Sequence, residues 1–306
     1  MRRLAALVVV AAITSLGLVA ISGPAQATFP GQNGRIAFQG EKPSGTAIYT
    51  MNPNGTGLRR LTPRKGEALT PDWSPNGRLI AVAQHECRVA IMRADGTHRR
   101  VLPSKTPGGC ETDPSFTPDG SRLVYVRFDP PDDEAVWIMN LDGTNRQRIT
   151  APNVGAPDPN VSPNGRKVSF IGAGKPERRG ALFTASLNGS NLFRVTPFLG
   201  VGFKSDWAPD GRHIVITTHI DSPKSPNVAT VRPDGSQLRM LTHYKGGAKA
   251  GLAGSYSPNG RWIVFRFEDP KQEKFRVYKM SPNGSHRKLI RRFHFATRNL
   301  DWGPRR

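Results

Sequence analysis

Apolar and polar residues alternate with a period of two along most of this chain, in short runs such as Ile48-Tyr49-Thr50-Met51 and Val136-Trp137-Ile138-Met139. Alternation of this kind marks half-buried strands rather than helices. Two turn signals separate the runs. The first is an aromatic or apolar residue followed by small polar, Pro, Asn or Asp, Gly and, in most copies, Arg. It reads Trp73-Ser-Pro-Asn-Gly-Arg78, Phe116-Thr-Pro-Asp-Gly120, Val161-Ser-Pro-Asn-Gly-Arg166, Trp207-Ala-Pro-Asp-Gly-Arg212 and Tyr256-Ser-Pro-Asn-Gly-Arg261, with a degenerate copy at Gln32–Arg35. The second is Asn-Gly or Asp-Gly, beginning at Asn54, Asp95, Asp142, Asn188, Asp234 and Asn283, and it precedes a polar strand ending in Leu-Thr or similar. Asx-Gly between alternating runs predicts a hairpin, because Gly tolerates the positive φ such turns require. Each unit therefore holds two hairpins, or four strands.

The glycines of the first signal lie 43, 43, 45, 46 and 49 residues apart, which is the period of a propeller blade. Six such units predict an all-β, six-bladed β-propeller of four-stranded antiparallel blades. Leu300-Asp301-Trp302-Gly303-Pro304 repeats Pro71-Asp72-Trp73-Ser74-Pro75, yet no strand pattern follows it, while the first unit lacks an Asp-Trp strand. The C-terminal strand is thus expected to close the first blade and protect the ring's edges. The repeated Trp-Ser-Pro-Asx-Gly-Arg strand pair, Asp-Gly hairpin and Leu-Thr resemble the TolB-type, WD-repeat-like propeller over the region after residue 27. That resemblance implies this fold and an exported, protein-binding habit. TolB itself carries an α/β domain ahead of its propeller and serves the Tol–Pal envelope system, a role the resemblance does not carry over.

Ahead of the repeats, Met1-Arg2-Arg3, an apolar run from Leu4 to Ile21, Gly23-Pro24 and Ala25-Gln26-Ala27 form the layout of a signal peptide cleaved after Ala27. The competing reading is an uncleaved membrane anchor. Residues 28–306 form the expected propeller domain, with no later apolar stretch long enough to span a membrane. Localisation is read as extracellular or periplasmic. Gly (32) and Pro (27) are abundant enough to exclude a long-helix bundle or coiled coil. A net charge of +21 bears on partners and solubility. The cations follow the second turn of each unit (Arg59-Arg60, Arg99-Arg100, Arg146, Arg148, Arg194, Arg239, Arg287-Lys288). On outer strands they block edge pairing or, alternatively, hold a polyanion.

Both turn types have nearly constant length and fall on one face of the ring, whereas the opposite face collects connections of variable length. Variable loops on a rigid scaffold are where binding resides. Candidate binding residues on that face are Lys65, Arg178, Arg179, His219, His243, Lys245 and Lys249. Cys87 and Cys110 share it and are expected to form a disulfide in an exported chain. Five residues before each turn glycine stand Asp72, Ser115, Asn160, Asp206 and Ser255, with Asp301 in the closing strand. They form a polar channel ring that either holds a hard cation or, as favoured here, satisfies nearby backbone groups. Asp129, Asp132, Asp133 and Glu134 cluster without the spacing of a calcium loop.

No metal-ligand set, cofactor motif or catalytic motif is found. The sequence therefore supports a non-enzymatic, monomeric propeller that binds a protein or cell-envelope component through its variable face. The alternatives are adhesion to an anionic polymer and a polysaccharide-active enzyme using channel residues. Export and the lack of a recognition module disfavour nucleic acid.

Overall fold

The computed structural model describes residues 31–306 apart from 64–67, 85–86, 105–107, 131–132, 152–153, 156, 174–179 and 199. The leader read at 1–27 lies outside the described residues. Blade 1 contains β1 (Asn33–Lys42), β2 (Gly45–Met51) and β3 (Arg59–Arg60). Blade 2 contains β4 (Ala68–Trp73), β5 (Leu79–Gln84), β6 (Arg88–Arg93) and β7 (Arg100–Val101). Blade 3 follows with β8 (Cys110–Phe116), β9 (Arg122–Asp129), β10 (Asp133–Asn140) and β11 (Gln147–Arg148). Blade 4 comprises β12 (Asn160–Val161), β13 (Lys167–Ala173), β14 (Gly180–Ser186) and β15 (Phe193–Arg194). Blade 5 comprises β16 (Gly202–Trp207), β17 (Ile214–Thr218), β18 (Asn227–Val231) and β19 (Arg239–Met240). Blade 6 comprises β20 (Ala250–Tyr256), β21 (Ile263–Asp269), β22 (Lys274–Met280) and β23 (Lys288–Phe293). The last strand, β24 (Ala296–Pro304), returns to blade 1, which is ordered β24-β1-β2-β3.

The turn chemistry explains the repeat. In the first turn the Gly77 N–H donates to Ser74 O at 2.9 Å, and the Ser74 hydroxyl accepts from Leu79 N–H while donating to Asn76 Oδ1. Gly77 stands at φ 64°, a conformation that costs a residue with a Cβ. Blade 5 keeps the backbone bonds but has Ala208 in place of the serine. In the second turn the Asx-Gly pair is not a two-residue loop. Gly55 N–H donates to Asn52 O, and Asn52 N–H to Thr56 O, so the loop has three residues with glycine alone in the left-handed position. The Asx side chain serves instead as an acceptor, Asn54 Oδ1 taking the Thr56 N–H. The Leu-Thr ending has its own function. Thr62, Thr150, Thr196 and Thr242 accept the N–H of Ile48, Val136, Leu182 and Val228, each at 2.9 Å. These hydroxyls continue a ladder that the two-residue outer strands abandon.

Six apolar clusters lie between blades rather than within them. Trp73 packs with Ala37 and Ile48 of blade 1, Phe116 with Ala81 and Ile91 of blade 2, and Trp207 with Ile171 and Leu182 of blade 4. Tyr256 joins Val215 and Val228 of blade 5, and Trp302 joins Val264 and Val277 of blade 6. The repeated aromatic is therefore the wedge between neighbouring blades, as its periodicity suggests.

One connection is shorter than the sequence suggests. Gly40–Thr46 reads as a variable loop, yet β1 and β2 pair through it, with Gly40 opposite Ala47 and Lys42 opposite Gly45.

Candidate functional site

The innermost strand of most blades carries a bulge just before the aromatic wedge. Register shifts fall between Leu69 and Asp72, Thr112 and Ser115, Gly202 and Ser205, and Ala253 and Tyr256. At the bulge position Thr70, Asp113, Asp158 and Asn299 adopt φ between 45° and 55°. Bulges re-aim side chains, and here they add a second polar ring, including Asp113, Asp158 and Lys204, beside the one visible in the repeat.

The expected ring residues link neighbouring blades. Asp301 Oδ2 accepts the Trp73 N–H at 2.7 Å, Asp72 Oδ2 the Phe116 N–H at 2.8 Å, and Asp206 Oδ2 the Tyr256 N–H at 2.8 Å. Ser255 Oγ accepts the Trp302 N–H at 2.7 Å, while the Asn160 amide donates to Ser205 O at 3.1 Å. Each partner lies in the following blade, not in the residue's own turn. The bulge ring repeats the arrangement, with Asp158 Oδ2 accepting both the backbone N–H and the hydroxyl of Ser205.

Lys204 is the cation among these carboxylates, its Nζ 3.9 Å from Asp158 Oδ1. Burial alone would push its pKa down, but Asp158, Asp301, Asp72 and Asp206 outweigh that and hold it above the ordinary lysine value. One ammonium can feel carboxylates from four blades only near the ring axis. Burial raises Asp158 to about 6, against the pull of Lys204. Burial also raises Asp72, where the neighbouring Asp301 adds to the effect, as well as Asp113 and Asp301. Among the described residues no group of three or more His, Cys, Asp or Glu is arranged to hold a metal ion.

On the loop face, Cys87 and Cys110 form a disulfide with Cα atoms 4.4 Å apart. It ties the β5–β6 connection to the first residue of β8, and the Glu111 N–H donates to Cys87 O at 3.0 Å beside it. In blade 5 the fully buried Asn227 joins two loops. Its amide donates to Tyr244 O at 3.0 Å, and its Oδ1 accepts from Tyr244 N–H and from the Thr242 hydroxyl. His243 Nδ1 lies 3.1 Å from Asp221 Oδ2. The two histidines do not form a pair, for His219 Nδ1 is buried and has no hydrogen-bond partner. His243, Lys245 and Lys249 are exposed. Lys65, Arg178 and Arg179 lie outside the described residues.

Two carboxylates of the acidic segment, Asp129 and Asp133, are committed to arginines, and Asp132 lies outside the described residues. Asp129 pairs with Arg127 at 2.6 Å and Asp133 with Arg148, and both guanidinium groups lie over the Trp137 ring, at 5.2 and 5.9 Å. Arg146, read as an edge charge, reaches inward to Glu111 and Tyr125. Lys204, Asp113, Asp158 and Asn227 were not singled out from the sequence. The signal for the first three was a fixed offset of two residues before the polar ring.

Comparison with known proteins agrees with this geometry. Residues 69–306 match the TolB beta propeller domain. A protein TolB homolog of Chlorobium luteolum is 26% identical over 203 residues, covering 66% of this chain and 45% of its own length. An uncharacterized peptidase, YuxL, of Bacillus subtilis is 26% identical over 193 residues, covering 50% of this chain and 29% of its own. The chain thus spans less than half the length of these curated relatives. TolB from Acinetobacter baumannii shares the fold with a TM-score of 0.73 at 19% identity, covering 89% of this chain and 67% of that one. The domain match takes in blades 2 to 6 and the closing strand, and the chain belongs to the TolB beta-propeller family.

Proposed function

We propose that this chain is an exported, non-enzymatic, monomeric propeller that binds a protein or cell-envelope component through its variable-loop face. The observation that carries the reading is the asymmetry of the two faces. Constant turns form one, whereas the other carries connections of differing length, fixed by the Cys87–Cys110 bridge and by Asn227. Rigid anchoring of variable loops lowers the ordering cost of binding. Membership of the TolB beta-propeller family supports an exported, protein-binding role, and export would follow from cleavage after Ala27. The channel favours a structural role over catalysis, because Asp72, Asp206 and Asp301 each accept a backbone N–H of the next blade.

The test is capture from cell-envelope extracts at low and high salt, with the wild type and with His243→Ala/Lys245→Glu/Lys249→Glu. A specific protein partner should survive high salt and be lost in the triple variant. Capture unaffected by the three substitutions, or abolished by salt alone, would overturn the reading.

A further inference from the structure

We infer a second binding site on the opposite, constant-turn face: a groove between blades 4 and 5 for a linear anionic glycopolymer. Two adjoining depressions form it. One, of about 580 Å³, is lined by Lys167, Phe193, Arg212, Arg232 and Asp234, and the other, of about 540 Å³, adds Arg166 and Asp210. Lys167 and Pro233 border both. The cations come from separate elements. Arg166 and Lys167 follow the first turn of blade 4, Arg212 follows that of blade 5, and Arg232 opens the second turn of blade 5.

Several arginines beside carboxylates pair with them, as Arg127 does with Asp129, Arg146 with Glu111 and Arg266 with Glu268. The groove holds no such pair among the described residues. Its two carboxylates are turned into their own loops, Asp210 Oδ1 accepting the Arg212 N–H and Asp234 Oδ1 the N–H and hydroxyl of Ser236. Arg232 is near enough to help lower the Asp234 pKa, but makes no ion pair with it. Among the described residues the side chains of Arg166, Lys167, Arg212 and Arg232 have no hydrogen bond or ion pair. Like charges held around two adjoining depressions, Lys167, Arg212 and Arg232 at one and Arg166 with Lys167 at the other, repel each other, and an anion relieves that repulsion.

The occupant is a chain rather than a small ion for two reasons. The cations border two depressions in succession, which one acid group cannot span. The arginine after the first-turn glycine also recurs at Arg78 and Arg261, so the basic track matches a ligand with repeated charge. Phe193, 46% exposed, adds an apolar surface of the kind on which the nonpolar face of a sugar ring rests. Arg favours phosphate and carboxylate alike through its planar donor fork. The acid group is therefore left to the experiment.

Binding of alginate, which carries carboxylates, and of sugar-substituted poly(glycerol phosphate), which carries phosphodiesters, would be measured by titration. Three proteins are compared: wild type, Lys167→Ala/Arg212→Ala/Arg232→Ala, and Arg59→Ala/Arg60→Ala/Arg99→Ala. The last removes equal charge from exposed positions in the outer strand of blade 1 and just before that of blade 2. The inference expects at least one polymer to bind, and whichever binds identifies the acid group. The groove variant should weaken binding by about ten-fold or more, and the control variant by less than about two-fold. Phe193→Ala should weaken it further without changing the salt dependence. Equal weakening by the two triple variants, binding of neither polymer, or preference for polyglutamate or DNA over both would overturn it. The substituted side chains are at the surface, and matching thermal melts would establish that each variant is folded. The loop face is untouched by these substitutions, so failure here leaves the protein-binding proposal to its own test.

Discussion

At the scale of single residues, the inner ring sets an unusual pH dependence. Burial lifts Asp158 from 3.8 to about 6, so the folded chain takes up this proton more readily than the unfolded chain. Stability is then gained as pH falls through about 6, complete below about 4, and lost again as pH rises. Asp72, Asp113 and Asp301 shift in the same direction, while Lys204 stays charged throughout. The turn carboxylates act oppositely. Hydroxyl and backbone donors hold Asp95, Asp142 and Asp234 below the ordinary carboxylate value, and that contribution disappears as pH drops below it. Thermal melts should therefore show stability rising between about pH 7 and about pH 5 before falling in stronger acid. Asp158→Asn keeps an acceptor for the Ser205 N–H and should flatten the rise, whose Asp158 share between those two pH values is on the order of 1 kcal/mol. A wild-type melting temperature that falls steadily from neutral to mildly acidic pH would show that Lys204 fully compensates Asp158.

Among the elements, the short outer strands and the loop staple matter most. β3, β7, β11, β15 and β19 are two residues long, which leaves little edge for another chain to pair with. The arginines in these strands or immediately before them divide by position. Arg59, Arg60 and Arg99 face solvent, but Arg146 and Arg148 turn back to Glu111 and Asp133. A single description of the basic residues as edge charge is thus too coarse. The disulfide spans 23 residues of sequence and encloses the β6–β7 hairpin. Closing such a loop stabilises the fold by about 3 kcal/mol in the chain-entropy view. Cys87→Ser/Cys110→Ser should lower the denaturation free energy by about that amount while leaving the circular dichroism of the sheets unchanged. Two alkylatable thiols in the unreduced, denatured protein would contradict the bridge directly.

For the whole molecule, closure of the ring depends on the last eleven residues. β24 pairs with β1 through Ile36 opposite Trp302 and Ala37 opposite Asp301, and Asp301 then holds the first residue of the next wedge, Trp73. The closing copy has Gly303 where its counterparts carry Ser, Thr or Ala, and a side chain there would collide with the Trp73 ring. Deleting Ala296–Arg306 removes the innermost strand of blade 1 and the Trp302 wedge. The expected outcome is loss of the cooperative melt, since removal of a buried Trp side chain alone costs roughly 3–5 kcal/mol. A truncated chain that melts at the wild-type temperature would rule out this form of closure.

The sequence by itself determined the number of blades, the order of strands, the closure by Leu300–Trp302, and the pairing of Cys87 with Cys110. The first three follow from periodicity and turn chemistry, which are local and recur along the chain, and the fourth from two cysteines falling on one face. The channel and the groove did not follow in the same way. Ring residues such as Asp72 and Asp206 were legible because they sit at a repeated position, but their partners lie one blade away, more than forty residues along the chain. Lys204 and Asp158 have unremarkable neighbours in sequence. Only ring closure converts their common offset into proximity at the axis, where burial and four carboxylates govern their protonation. The same holds for Lys167, Arg212 and Arg232. Locally each is a solvated charge beside a turn, and it is the packing of blade 4 against blade 5 that draws them around one depression.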